Sequence, residues 1–458
     1  MTMWVPQIDR QTGPVYQAIA EALGADIAEG RLSMGQRLPT HRDLARRLGV
    51  TIGTVTRAYA EAARRGLIQA TVGRGTFVRA PAPRRSEPAA DGIVDLRSNY
   101  PALAASAAAL SETLIALGRD PAATDLLRYH EHAGPARHRT AGARLIAASG
   151  LPVSAERVLV TAGGQHAIAV ALLTLARAGD VVLTEQLTYH NFKALAQRLG
   201  VRLHGVALDA EGLIPDAFEE ACLRLSPRAL YCTPTLQNPT AAVMSAERRA
   251  AIAKIAAAHD VTLIEDDILG FLAPEQRPLA AYAEGPACYL SSVSKSLAPG
   301  LRLGFLAVPE GQSARFAEAI RITSWMAPPL AGEIVCRWIE NGTAERLIAA
   351  QREEAGARIE IAQARLGDLM PPTHPTSSHI WLKLPAPMRA DRFQQEALSA
   401  GVAVTTGEPF AVDGAAPEAI RVCLGPAPTR ELLDRALGTL AMLLRSAQAT
   451  REPALSIL

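Results

Sequence analysis

The residues with the clearest chemical potential lie in one short segment, Val293 to Arg302. Lys295 lies there among small polar residues, and Arg302 follows it by seven positions. A lysine that forms an imine needs a lowered pKa, which desolvation or a nearby cation provides. An arginine can bind a phosphate through two parallel hydrogen bonds. A solvated loop is the alternative interpretation of this segment taken alone.

Other segments supply groups that suit the same ligand. Gly163 and Gly164 follow an apolar strand and open an apolar helix, where backbone N–H groups can approach a phosphate. Asp266 ends another strand, and a carboxylate there can hold a pyridinium nitrogen protonated. Asn238 can donate to a phenolate oxygen, and Tyr189 can stack on an aromatic ring. These residues are therefore interpreted as surrounding one ligand.

The chain from Asp95 onward has the alternating pattern needed to position these groups. Apolar β-branched strands alternate with Ala- and Leu-rich helices, which predicts an α/β fold with a mostly parallel sheet covered by helices. Residues from about 340 to 458 predict a smaller α+β lobe. The predicted strands include Arg157–Thr161, Asp180–Thr184, Ala229–Thr233, Val261–Asp266 and Arg302–Val308.

Residues 14–78 predict a separate unit of three helices and a β-hairpin. Thr40 opens the second helix with a capping box, and Thr51 caps the third helix after Gly49. Residues 67–78 alternate weakly around a Gly-Arg-Gly centre and predict the hairpin. Residues 80–92 are rich in Pro, Ala and charge, and they predict a linker. The apolar face of the first helix consists of Val15, Ile19, Leu23 and Ile27.

The second and third predicted helices fit a helix-turn-helix, whose second helix enters the major groove of DNA. Hydroxyl side chains at the start of that helix suit phosphate contact, and Arg57 could reach a phosphate or a guanine edge. A plain three-helix domain with solvated arginines is the alternative. The formal net charge of the chain is only +2. The unit itself is basic, with Arg42, Arg46, Arg47, Arg57, Arg64, Arg65, Arg74 and Arg79.

Composition excludes several classes of protein. The chain has 458 residues, of which 49% are hydrophobic and 20% charged, so global disorder is excluded. Five scattered cysteines predict free thiols in a reducing compartment. We expect a soluble cytoplasmic protein, because no signal peptide or membrane-spanning stretch is evident. No metal site is expected, since His130, His132 and His138 lack the spacing of known ligand sets.

The N-terminal unit resembles the winged helix of the GntR family. The blocks GQRLPTHRDLA, VTIGTVTRAY and GRGTFV carry the match. Ile52 departs from the family, since many members have arginine there. The resemblance implies DNA contacts by Thr40, Arg42, Thr51, Thr54, Arg57, Arg74 and Gly75.

Residues from about 95 to 430 resemble the class I aminotransferases of pyridoxal-phosphate fold type I. The motifs are TAGGQHAIAV, EQLTYHNF, TPTLQNPT, LIEDDILG and SVSKSLAPGLRLGF. The resemblance implies that Lys295 is the Schiff-base lysine, that Tyr129 reaches the phosphate in the partner subunit, and that Arg421 grips a carboxylate. It implies ring contacts by Tyr189, Asn238 and Asp266, and phosphate contacts by Gly163, Gly164, Gln165, Ser292, Ser294 and Arg302.

The combination resembles the MocR subfamily of regulators, which implies a homodimer that binds pyridoxal 5'-phosphate, operator DNA and an amino acid or amine effector. The expected boundaries are 10–79 for the winged helix, 80–94 for the linker and 95–458 for the larger domain. One alternative is a working aminotransferase with an added winged helix, although Ile268 and Leu269 stand where the family has a tyrosine. Another alternative is a DNA-binding protein whose larger domain only dimerises.

Overall fold

A computed structural model describes residues 4–6, 14–28, 31–32, 35–64, 67–71, 75–78, 92–101 and 104–449. The chain divides into two compact units, residues 1–87 and residues 88–458. Arg65, Arg74, Arg79 and nearly all of the predicted linker lie outside the described residues.

The first unit has the predicted three helices and hairpin. Thr40 accepts a hydrogen bond from the Asp43 N–H at 3.2 Å and so caps the second helix, which Gly49 ends with a φ of 62°. Apolar residues of all five elements form one buried core, including Ile19, Leu44, Val55, Ile68 and Val78. The elements are α1 (Val15–Ala28), α2 (His41–Leu48), α3 (Ile52–Arg64) and the antiparallel pair β1 (Ile68–Thr71) and β2 (Gly75–Val78).

The second unit is built around a seven-stranded sheet. One strand, β12 (Gly304–Ala307), is antiparallel to both of its neighbours, and the other strand pairs of this sheet are parallel. The sheet is therefore mostly parallel, as the alternating sequence pattern predicts. The order is β4 (Val158–Thr161), β12 (Gly304–Ala307), β11 (Ala287–Ser292), β10 (Thr262–Asp266), β9 (Ala229–Cys232), β5 (Val181–Glu185) and β6 (Arg202–Val206). The helices of the unit are α4 (Ala104–Gly118), α5 (Ala136–Ala148), α6 (Gly164–Leu175), α7 (His190–Arg198), α8 (Pro215–Leu225), α9 (Ala246–Ala258), α10 (Val293–Ser296), α11 (Ser313–Ser324), α12 (Pro329–Glu340), α13 (Thr343–Leu366), α14 (Ala390–Ser399) and α15 (Arg430–Ala449).

Apolar residues on both faces hold the strands in place. Leu159, Ile264 and Leu290 pack with residues of α6 on one face, while Leu230 and Leu263 pack with α8 and α9 on the other. Each fully buried leucine or isoleucine side chain stabilises the fold by about 1.5–3 kcal/mol. The packing therefore fixes the strand ends, and the carboxyl ends of the parallel strands meet at one edge of the sheet.

A smaller lobe completes the second unit. Its antiparallel sheet packs against α13, α14 and α15 through a separate apolar core. The segment after β3 (Val94–Asp95) joins this lobe, because β3 pairs with β14 (Val402–Ala403) and the Leu96 carbonyl accepts from the Cys423 N–H. The remaining strands are β7 (Leu208–Asp209), β8 (Gly212–Leu213), β13 (His379–Lys383), β15 (Thr405–Thr406) and β16 (Ala419–Cys423).

Candidate functional site

The N-terminus of α6 forms one end of the candidate site. Gly163 precedes α6 with a φ of 91°, and a Cβ atom there would lie 2.7 Å from a guanidinium nitrogen of Arg302. Glycine is therefore required for the arginine to approach the helix N-terminus. Arg302 also donates to the Ser294 hydroxyl at 3.4 Å, and Ser292 donates to the same hydroxyl at 3.1 Å. A cation, backbone N–H groups and hydroxyls thus converge as a phosphate requires.

Lys295 lies on the short helix α10, directly after the carboxyl end of β11. Its Nζ donates to the carbonyl of Asn99 and lies 5.8 Å from the centre of the Tyr100 ring. Burial lowers the pKa of Lys295, and the charges of Arg421 and Arg302 act in the same direction. A lowered pKa increases the fraction of free amine, which is the form that attacks a carbonyl carbon.

Asp266 ends β10 and is 3% exposed. The hydroxyl of Tyr231 donates to Asp266 Oδ2 at 2.7 Å, and the Ile268 N–H donates to Oδ1 at 3.3 Å. Burial raises the pKa of Asp266, while both hydrogen bonds oppose that rise. The carboxylate is thus held in one orientation, where a protonated ring nitrogen could pair with it.

Arg421 and Asn238 form a further polar cluster, which lines the same cavity as Lys295 and Asp266. Arg421 lies on β16, is 5% exposed, and donates to Asn238 Oδ1 at 2.6 Å and to the Arg97 carbonyl at 2.5 Å. Its guanidinium stacks 4.8 Å above the Phe410 ring, and its Nε has no hydrogen-bond partner among the described residues. Because the Asn238 oxygen faces Arg421, the amide N–H₂ group of Asn238 remains available to another acceptor.

The structure brings five of the predicted residues to one cavity of about 290 Å³, lined by Tyr189, Asn238, Asp266, Lys295 and Arg421 among others. Ile268 and Leu269 also line it, at the positions where the resemblance leads one to expect a tyrosine.

Tyr129 lies apart from this cavity. Its side chain is 82% exposed, and its ring lies 5.9 Å from that of Trp325. Trp325 has φ 68° and ψ −52°, and the Met326 N–H donates to the Ser324 carbonyl at 2.8 Å. These values describe a γ-turn with a positive φ, which is rare and strained.

Two buried residues near the cavity have no local signal in the sequence. Tyr231 is fully buried and stacks on Phe192 with ring centres 3.8 Å apart. His379 is 1% exposed, and its Nε2 lies 3.0 Å from the Gln237 carbonyl oxygen, which precedes Asn238. Burial and then the charge of Arg421 lower the pKa of His379 to about 4. Tyr231 thus orients Asp266, and His379 holds the backbone next to Asn238; both Asp266 and Asn238 were predicted from the sequence.

In the N-terminal unit, several predicted contact residues are exposed on α2 and α3. Arg42 and Arg57 are exposed, whereas the hydroxyl of Thr40 donates to Asp43 Oδ2 at 2.6 Å. Gly75 has a φ of 115°, and a Cβ atom there would lie 2.9 Å from Arg37 Nε. The predicted contact Arg74 lies outside the described residues.

The described residues contain neither a membrane-spanning helix nor a cluster of metal-ligating side chains. None of their helices is long and apolar enough to cross a membrane. Within the same residues, no group of three or more His, Cys, Asp or Glu side chains could hold a metal ion.

Comparison with known proteins gives matches for both units. Residues 91–440 match the family described as aminotransferase class I and II, and residues 15–78 match the bacterial regulatory proteins of the gntR family. The HTH-type transcriptional regulator YdeF of Bacillus subtilis (strain 168) is 31% identical over 446 residues, which cover 96% of each chain. The probable rhizopine catabolism regulatory protein MocR of Rhizobium meliloti is 27% identical over 360 residues, covering 72% of each chain.

The solved structures include a similar enzyme with a bound cofactor derivative. The α-aminoadipate aminotransferase LysN of Thermus thermophilus, complexed with N-(5'-phosphopyridoxyl)-L-leucine, superposes with a TM-score of 0.68. It is 26% identical, and the match covers 86% of this chain and 99% of that one. The predictions of fold class, family and pyridoxal-phosphate fold are therefore confirmed. The chain belongs to the MocR-like transcription regulators, in which a gntR-family domain is joined to an aminotransferase class I and II domain.

Proposed function

We propose that this regulator changes its DNA binding in response to pyridoxal 5'-phosphate and an amino-acid-like effector. The observation that carries the proposal is the single cavity in which Lys295, Asp266, Asn238 and Arg421 meet. We take residues 10–79 as the DNA-binding domain, 80–94 as the linker and 95–458 as the sensing domain.

The residues around the cavity fit the cofactor. Lys295 would be its covalent attachment point, and Asp266 would pair with the ring nitrogen. Tyr189 would stack on the ring, and the free amide of Asn238 would donate to the ring oxygen. When bound, the cofactor supplies a carbonyl carbon and an electron-withdrawing ring. The phosphate would be held by Gly163, Gly164, Gln165, Ser292, Ser294 and Arg302.

The effector would bind through Arg421. The guanidinium is buried and already oriented by Asn238 and Phe410, so a carboxylate would find it preorganised. A carboxylate can take the place of the Arg97 carbonyl and gain a bidentate, charge-assisted contact. An amino acid would thereby be held with its amino group beside Lys295.

Exposed apolar residues support a homodimer. Two segments of the larger unit expose large apolar side chains, namely Leu127, Tyr129, Ile322, Trp325 and Leu330. The His130 N–H donates to the Met326 sulfur at 3.2 Å, and this contact joins the segment that contains Tyr129 to the segment that contains Trp325. Monomeric proteins rarely expose large contiguous apolar patches. We infer that a second copy covers this surface and that Tyr129 reaches the partner's phosphate site.

The DNA contacts follow from the winged helix. The two copies of a homodimer would place their α3 helices on paired half-sites of an operator. Binding to operator DNA would take place in the cytoplasm. The proposed contacts are Thr40, Arg42, Thr51, Thr54, Arg57, Arg74 and Gly75.

The test is a gel-shift titration on the DNA upstream of the protein's own gene, with and without pyridoxal phosphate and single amino acids. We expect saturable binding whose affinity changes with the cofactor or an amino acid, and no amino acid response in Arg421→Ala. An affinity that is blind to every small molecule refutes ligand sensing. Sustained turnover of an amino acid and a keto acid would instead favour the aminotransferase alternative.

A further inference from the structure

The recognition helix carries a large apolar side chain at its exposed start. Ile52 is the first residue of α3, and 49% of its surface is exposed. It is surrounded by the exposed residues Thr51, Gly53, Thr56 and Arg57. A single exposed isoleucine is ordinary on a protein surface, so the neighbouring groups must indicate what this one contacts.

The threonine hydroxyls around Ile52 are used within the helix. Those of Thr51 and Thr54 bond to each other at 2.9 Å, and Thr51 also accepts from the Thr54 N–H at 3.1 Å. The hydroxyl of Thr56 donates to the Ile52 carbonyl at 3.0 Å. A hydroxyl has one proton to donate, so Thr56 has none left for a base edge. Thr56 can still accept a hydrogen bond there, and its methyl group is the part of the side chain that can make an apolar contact.

We propose that Ile52 determines base specificity by packing on the C5-methyl group of a thymine. This inference rests on the proposed DNA binding. The N-terminal residues of a recognition helix contact base edges in the major groove, where thymine alone presents a methyl group. Ile52 and Thr56 are one turn apart, so they form one apolar patch. The exposed Arg57, which follows Thr56 on the same helix, supplies positive charge near it.

The experiment first selects preferred sites from a pool of randomised duplexes with the full-length protein and pyridoxal phosphate. Each thymine of the selected duplex is then replaced singly by deoxyuridine, which removes only the methyl group. We expect one position in each half-site where this weakens wild-type binding about fourfold, the value of one buried methyl group. Ile52→Ala should bind the thymine and uracil duplexes equally.

Two further variants complete the test. Leu223→Ala removes an equally apolar, 71% exposed side chain on α8 and should keep the full methyl effect. Ile52→Arg should move the selected base at that position from thymine to guanine. Ile52→Ala should fold, since alanine is the better helix former. A wild type that ignores every methyl group, or an effect that Ile52→Ala retains, overturns the inference. Failure to enrich any duplex overturns the DNA-binding proposal itself.

Discussion

The buried imidazole of His379 should make the stability of the proposed sensing domain sensitive to acid. Its surroundings hold the neutral form, because the site is buried and the cations Arg421 and Lys295 are near. The pKa in the folded state is lowered to about 4 from the ordinary value of 6.5. The unfolded chain therefore takes up a proton near pH 6.5, whereas the folded chain does so only near pH 4.

The sign and size follow from proton linkage. The stabilising contribution is fully present above pH 6.5 and is lost as the pH falls toward 4. A pKa difference of this size corresponds to about 3 kcal/mol in total. About 2 kcal/mol of that should already be lost at pH 5.

The comparison is between wild type and His379→Gln, because glutamine can still donate to the Gln237 carbonyl but does not titrate in this range. Urea unfolding is followed by tryptophan fluorescence from pH 5 to 7.5. Three of the four tryptophans, Trp325, Trp338 and Trp381, lie in this unit. The other titratable groups are the same in both proteins, so their contributions cancel in the difference between the two free energies of unfolding. The free energy of unfolding of wild type should fall by about 2 kcal/mol relative to the variant. Parallel pH profiles would refute the reasoning.

Three further predictions concern the proposed contacts. Lys295→Ala should lack the visible absorbance band of lysine-linked cofactor, and a wild type without that band contradicts the assignment. Tyr231→Phe removes a hydrogen bond to the buried Asp266 carboxylate, which should lower the free energy of unfolding by about 1.5–3 kcal/mol. The carboxylate is then less well oriented for the ring nitrogen, so the Kd for the cofactor measured by equilibrium dialysis should rise. An unchanged Kd would show that Tyr231 does not position Asp266. Arg57→Ala should weaken operator binding by about 1–3 kcal/mol if Arg57 reads a guanine, or lower the salt dependence if it binds phosphate. Unchanged binding in both Arg57→Ala and Arg42→Ala would exclude this DNA-binding face.

Local patterns in the sequence were sufficient for the framework. Each of the five predicted strands is present, with ends shifted by no more than two residues, as in Arg302–Val308 against the observed Gly304–Ala307. The sequence also predicts Asp266 at the end of a strand and Gly163 just after one, and the structure has both residues at those positions. That success has a physical reason, because the carboxyl ends of parallel strands meet at one edge and place their next residues together.

The supporting residues could not be found in this way. Tyr231 reaches Asp266 only because β9 and β10 pair in a register that sets Tyr231 opposite Ile264. His379 meets Gln237 across 142 positions of the chain. Neither contact has a local pattern, since each depends on the packing of elements that are distant in sequence. The Arg421 contact with the Arg97 carbonyl likewise joins residues that are 324 positions apart in the chain.

The composition of the linker limits how the two domains can communicate. Residues 80–92 contain no large apolar side chain, so they cannot transmit a signal through a packed core. In the proposed homodimer, coupling must then arise because the proposed effector and the operator favour different arrangements of the two copies. Moving such an equilibrium from 1:99 to 99:1 requires a ligand that prefers one arrangement by about 10⁴-fold. The proposed charge-assisted contact between an effector carboxylate and Arg421 is the strongest candidate source of that preference. Thermodynamic linkage then demands reciprocity: an effector that weakens operator binding must itself bind more weakly, by the same factor, when the operator is bound.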